Sequence, residues 1–151
     1  MKVKISFISP EVEELYRTVH TKNLTAESFK DDAGIDLRAL STITLSPGQR
    51  AMIPVGISAQ FSKKYVGILK DRSGMARSSN LVIHAGVIDD QYRGEINVIV
   101  QNHGPEPYYI HYGDRFAQML IIQRFSGKIK FVSKLNQTKR GTKGFGSSGK
   151  R

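Results

Sequence analysis

Gly86-Val-Ile-Asp-Asp-Gln-Tyr-Arg-Gly-Glu95 sets two adjacent carboxylates, a tyrosine and an arginine between two glycines. A carboxylate on such a corner can take a proton from water, and a neighbouring aromatic can wall a ring-shaped substrate. The competing reading makes Asp89 and Asp90 turn residues and Tyr92 a packed aromatic. For an isolated hairpin that is the preferred reading. Asp71-Arg-Ser-Gly-Met-Ala-Arg-Ser-Ser79 adds two arginines, three serines and a glycine. Guanidinium groups bind phosphate bidentately, and hydroxyls with exposed amides can complete an anion cradle. A polar loop with a surface ion pair accounts for the same residues equally well. Arg140-Gly-Thr-Lys-Gly-Phe-Gly-Ser-Ser-Gly149 is glycine-rich and basic with one aromatic. It lacks the spacing and the strand–helix context of a Walker phosphate loop. As a tail it could close over a nucleotide, arginine to phosphate and ring onto base. A merely solubilising tail would not need Phe145.

These residues need a scaffold. Lys2–Ile8 alternates polar and apolar and predicts a half-buried strand. Ser9-Pro10 then opens an amphipathic helix expected over 10–20. Serine can cap, proline suits the first turn, and Glu11, Glu13 and Glu14 favour the helix dipole. Val12, Leu15, Tyr16 and Val19 form its packing stripe. Asn23–Asp32 is polar and reads as loop. From Ala33 onward short strands follow one another, at Ile35–Ala39, Thr42–Leu45, Arg50–Pro54, Ile57–Phe61, Tyr65–Leu69, Leu81–His84, Glu95–Gln101, Pro107–His111, Phe116–Gln123 and Ile129–Val132. Turn residues such as Ser46-Pro-Gly48 and Gly113-Asp114 punctuate them. That texture predicts an all-β sandwich or barrel. No fixed-period repeat is present. After Leu135 the apolar pattern stops, and 136–151 is a glycine-, serine- and lysine-rich tail that would not fold alone.

The chain has 151 residues, enough for one domain with a real core. No apolar run approaches the roughly 18–20 residues that cross a bilayer. Met1-Lys-Val-Lys-Ile carries no signal-peptide pattern, and there are no cysteines. Disulfides, thiolate nucleophiles and Cys-based zinc sites are thereby excluded. A cytoplasmic location is expected. The net charge is +10, and the segment 126–151 contributes +8 of it, with eight Lys or Arg and no Asp or Glu. A polyanionic partner explains that placement; plain solubility competes with it.

Five separated stretches, in order, resemble the five motifs of trimeric dUTP diphosphatases. They are Ala33-Gly-Ile-Asp-Leu-Arg-Ala39, Arg72-Ser-Gly-Met-Ala76, Gly86–Glu95, Gly113-Asp-Arg-Phe-Ala-Gln-Met-Leu120 and Arg140–Gly149. The resemblance spans 33–149. It implies a jelly-roll β-barrel over 1–135 with a short N-terminal helical insert, and a flexible arm at 136–151 that closes over a neighbouring subunit's site. It also implies a homotrimer with shared active sites, the reaction of dUTP and water to dUMP and diphosphate, and Mg²⁺. The host would be a bacterial or virus-infected cell. The helical insert near 10–30 is longer than the family leads one to expect.

By resemblance, Asp89 is the catalytic aspartate that deprotonates a water for attack on the α-phosphorus. Tyr92 packs on the deoxyribose and leaves no room for a 2′-hydroxyl. Backbone groups between Ile83 and Asp89, including those of Gly86, Val87 and Ile88, read the uracil edge. Many members carry asparagine at the place of Ile83 and aspartate at the place of Gln91, so those side-chain contacts are lost here. Asp90 is expected to be solvated. His84 is read as structural, and Asn97 sits where several members contact substrate. Arg72, Ser73, Gly74 and Gln118 would hold the phosphate chain. Asp36 would reach the metal through water, because magnesium leans on the substrate's phosphates. In the arm, Arg140, Gly146 and Ser147 would bind the γ-phosphate and Phe145 would stack on uracil. Lys139 and Lys143 add positive field or are simply solvated.

A dCTP deaminase is the nearest rival, and the full Arg140–Gly149 stretch argues against it. A basic nucleic-acid-binding β-module is a rival of another class, but few aromatics are interleaved with its basic residues. A dUTP hydrolase that also binds a regulatory protein through 10–30 is a third reading.

Overall fold

The computed structural model describes residues 3–17 and 33–144. Among these, strands dominate and helices are two and short, as the spacing of short apolar runs predicted. The N-terminal strand β1 (Lys4–Phe7) pairs antiparallel with β5 (Ile57–Gln60). Helix α1 (Pro10–Arg17) follows it and buries Val12 and Tyr16. The packing stripe read from the sequence is therefore real up to Arg17, while 18–32, including Val19 and the expected loop, lies outside the described residues.

Two larger sheets hold the site. One has the order β2-β11-β6-β8, with β2 at Gly34–Arg38, β6 at Tyr65–Lys70, β8 at Val87–Ile88 and β11 at Arg115–Gln123. The other has the order β4-β9-β7, with β4 at Arg50–Pro54, β7 at Leu81–His84 and β9 at Asn97–Asn102. A further pair joins β3 (Ile43–Leu45) to β10 (Tyr108–Ile110). Neighbouring strands are far apart in sequence, as in jelly-roll connections. The core lies between the sheets. β9 alternates half-buried and buried residues, and its Val98 and Val100 meet Leu37, Ile53, Val55 and Phe116 at zero or near-zero exposure. This is the period-2 pattern of a strand with one face inward.

Two expectations need correction. Ile129–Val132 is not a strand: 124–144 contains none, and Phe131 is 95% exposed. The alternation is present, but no described strand pairs with the segment. The stretch after Arg72 is not a loop but a short helix, α2 (Ser73–Ser78). Its end is tied by the Ser78 and Ser79 hydroxyls, which donate to the Gly74 and Met75 carbonyls, both at 2.8 Å. The two apolar runs that flank the corner do pair antiparallel as β7 and β9, Ile83 opposite Val100, and the corner between them is long. It leaves its sheet to lay β8 against β6, Ile88 opposite Gly67. Ala85 (φ 56°) and Gly86 (φ 95°) make that crossing in the left-handed region. A side chain at Gly86 would collide with the Leu69 side chain, 2.6 Å from its Cβ.

Candidate active site

β11 brings three distant stretches together. Gln118 lies opposite Asp36 on β2 and opposite Lys70 on β6. The register on the β2 side shifts between Arg115 and Ala117. Phe116 and Ala117 are both buried there while Arg115 stays exposed, as a bulge permits by re-aiming one side chain. The result is a cavity of about 260 Å³ lined by Asp36, Arg72, Ser73, Gly74, Arg115 and Gln118.

Its charge is set by one carboxylate among several cations. Arg72 donates from Nε to Asp36 Oδ1 at 2.8 Å, and Arg115 from Nη1 to Oδ2 at 3.1 Å. Arg72 also donates from Nη1 to the Arg115 carbonyl at 2.9 Å. Behind them Arg38 is buried and donates to the Gly113 carbonyl. Burial holds its pKa below the usual arginine value, and the Arg115 and Arg72 charges push it the same way. One carboxylate facing two guanidinium groups leaves the cavity positive, fit for a polyanion.

The sequence-predicted phosphate residues Arg72, Ser73, Gly74 and Gln118 thus share one cavity with Asp36. Gln118 does not face outward as a plain strand residue would: its Nε2 donates to the Asp71 carbonyl at 2.7 Å. Arg115 was missed as a site residue. Its signal was a cation inside the Gly113–Leu120 stretch, read there only through Gln118.

The corner residues stand apart from this cavity. Asp89 is exposed, and its carbonyl accepts the Tyr92 amide at 3.1 Å, closing a turn. Tyr92 is 43% exposed and donates to the Glu95 carbonyl at 2.8 Å. It is not a core tyrosine. Asn97 donates to the same carbonyl at 3.1 Å. Val87 is exposed and Ile88 buried, so only backbone at 86–88 is offered alongside the Val87 side chain. Neither Asp89 nor Tyr92 lines the cavity.

Asp90 corrects an expectation. It is buried, 6% exposed, rather than solvated. Gln91 donates to its Oδ2 at 3.1 Å, and Arg124 stands 3.9 Å from Oδ1. The crossing of the corner to the other sheet puts Asp90 against the end of β11. His84 is packed, with its ring stacked on His103 at 6.0 Å between centroids, and its Nε2 is buried without a partner among the described residues. Arg140 is exposed and donates to the Lys143 carbonyl at 3.0 Å, away from the cavity lining. Phe145, Gly146 and Ser147 lie outside the described residues.

Among the described residues no three His, Cys, Asp or Glu side chains gather to hold a metal ion. Both Asp36 oxygens already accept from guanidinium groups. Asp36 therefore fits a water-mediated contact to an ion carried on phosphates, not a protein cage.

A profile described as dUTPase matches residues 21–149. The chain belongs to the dUTPase family. A deoxyuridine 5′-triphosphate nucleotidohydrolase of Desulfitobacterium hafniense (strain DSM 10664 / DCB-2) is 37% identical to it over 154 aligned positions, covering 99% of this chain and 97% of that one. One of Anaeromyxobacter sp. (strain Fw109-5) is 39% identical, covering 78% and 82%. Among solved structures, the Staphylococcus bacteriophage 80alpha dUTPase with dUPNHPP superposes with a TM-score of 0.80 at 26% identity over 98% of both chains. The dUTPase motifs read from the sequence thus belong to a dUTPase chain and fold.

Proposed function

We propose that this protein hydrolyses dUTP to dUMP and diphosphate at sites shared between copies of the chain. The Arg72–Asp36–Arg115 cavity carries the reading. It is positive, of polyphosphate size, and lined by guanidinium, hydroxyl and glycine donors.

Arg72, Ser73, Gly74, Arg115 and Gln118 would bind the triphosphate and hold its α-phosphorus in line with a water. Asp89 would take a proton from that water as its oxygen attacks the α-phosphorus. The bond from that phosphorus to the α–β bridging oxygen breaks, and diphosphate leaves with the electron pair. Arg140 would stabilise charge on the departing diphosphate. Mg²⁺ on the phosphates would neutralise charge, with Asp36 reaching it through water. Tyr92 would wall the deoxyribose. Backbone groups between Ile83 and Asp89 would pair with uracil, where the amino group of cytosine would meet a donor and leave polar groups unpaired.

The separation of Asp89 and Tyr92 from the cavity supports a homotrimer whose sites draw on more than one copy. So does the run of exposed apolar residues Phe125, Ile129, Phe131, Val132 and Leu135, since a neighbouring copy would cover it. The segment 136–151 would then act as an arm over a neighbour's site, with Phe145 on the base and Gly146 and Ser147 at the γ-phosphate.

Diphosphate release from dUTP, dCTP, dTTP and UTP in parallel, with and without Mg²⁺, tests the reading. Mg²⁺-dependent release from dUTP alone is expected. Release from none overturns it in favour of a basic binding module, and a response to dCTP reopens the deaminase reading.

A further inference from the structure

We infer that Asp71 is a positioning residue that holds the base-reading edge at its working place; the inference rests on the dUTP-hydrolysing role proposed above. Asp71 directly follows β6 and precedes Arg72. Its carboxylate Oδ1 accepts the Ile83 amide at 2.8 Å, and its carbonyl accepts the Gln118 side chain at 2.7 Å.

The place of the Ile83 contact matters. β7 is the outer strand of its sheet, bonded only to β9. The outward amide of Ile83 therefore has no strand to meet, and a buried or half-buried amide needs an acceptor. Asp71 supplies one. Two residues earlier, the Leu69 amide donates to the Gly86 carbonyl at 2.8 Å. Alternate residues at the end of β6 thus grip both ends of 83–86, the segment in which Ala85 and Gly86 turn left-handed. Between these two grips the backbone has little freedom to drift. A carboxylate or an amide oxygen can serve at position 71; an apolar side chain of the same shape cannot. The phosphate side hangs on the Asp71 carbonyl, which a substitution of the side chain leaves in place.

The test uses the full chain as Asp71→Leu and Asp71→Asn. Steady-state kinetics are measured with dUTP and dCTP, together with inhibition by inorganic tripolyphosphate. Asp71→Leu should raise KM for dUTP about tenfold, the effect of one lost hydrogen bond to a charged acceptor. The preference for dUTP over dCTP should narrow by a similar factor. The turnover number and tripolyphosphate inhibition should stay close to wild type, and Asp71→Asn should recover most of the KM. Unchanged KM and preference in Asp71→Leu overturn the inference, as does an Asn variant as defective as Leu. Amide hydrogen exchange on the wild type gives a second reading that needs no variant to fold: Ile83 should be protected, and exchange at the rate of an open amide refutes the contact. If wild-type protein releases no diphosphate from dUTP, the proposed activity and the base-reading role fall together, while the Ile83 exchange still decides whether Asp71 holds that amide.

Discussion

Arg72 and Asp36 meet at 2.8 Å, Nε to Oδ1, across β11 and 36 residues of chain. The pair is only partly buried, with side-chain exposures of 26% and 19%. Its worth to folding is therefore small, about 1 kcal/mol or less. Its worth to the site is larger, because it fixes the guanidinium that faces the cavity. Asp36→Asn should lower the thermal midpoint by no more than about 2–4 °C. It should lower kcat/KM for dUTP at least tenfold, about 1.4 kcal/mol, as Arg72 and Arg115 lose their common anchor. A large drop in midpoint with little change in kcat/KM would make Asp36 a folding residue instead.

Among the described residues the Asp89 carboxylate makes no hydrogen bond or ion pair, and its backbone alone closes the turn to Tyr92. Replacing its carboxylate by an amide should leave that turn intact. Asp89→Asn should bind a non-hydrolysable dUTP analogue nearly as well as wild type. Turnover should fall by about 10²–10⁴-fold, the range for loss of a general base. Calorimetry for binding and diphosphate release for turnover separate the two, and normal turnover would remove Asp89 from the mechanism.

What the sequence disclosed followed periodicity. β9 and β4 were legible because alternation survives wherever one face is buried, and Arg50–Pro54 matches its expected bounds. α2 was hidden because Arg-Ser-Gly-Met-Ala-Arg-Ser-Ser has the composition of a loop; its helix is closed by serine hydroxyls bonding back four residues. Asp90 looked solvated because only the crossing of β8 to a second sheet reveals its burial beside Arg124. Ile129–Val132 carries a strand's alternation without a strand's partner, since pairing is a property of two segments and not of one. The cavity residues were legible as motifs; Arg115 stands inside one of them, but its place in the cavity follows from the register of β11 against β2.

Tyr92 is 43% exposed, with its hydroxyl held by the Glu95 carbonyl at 2.8 Å. The bond fixes where the ring stands without burying it, as a wall for a sugar requires. Tyr92→Ala should raise kcat/KM for UTP relative to dUTP by tenfold or more, about 1.4 kcal/mol. Tyr92→Phe, which keeps the ring and loses the bond, should sit between the two. Parallel kinetics with UTP and dUTP read this directly, and unchanged selectivity in the alanine variant would refute the sugar-wall role.

Tyr16 links the N-terminal helix to the strand that carries Asp36. Its hydroxyl donates to the Val55 carbonyl at 2.8 Å and accepts the Arg38 amide at 3.1 Å. Burial raises its pKa from the usual 10.0 to about 12, against the opposing pull of Arg38. The folded protein thus favours the neutral phenol. That stabilisation is complete below pH 10 and is lost as pH rises from 10 toward 12. At about 1.4 kcal/mol per pKa unit, the loss over these two units is about 3 kcal/mol. Tyr16→Phe should cost about 1–3 kcal/mol at neutral pH, because the Val55 carbonyl and Arg38 amide lose their partner. It should also flatten the fall in stability between pH 10 and 12 relative to wild type. Urea unfolding across that range measures both. Parallel losses in the two proteins would show that the alkaline fall arises elsewhere than at this hydroxyl.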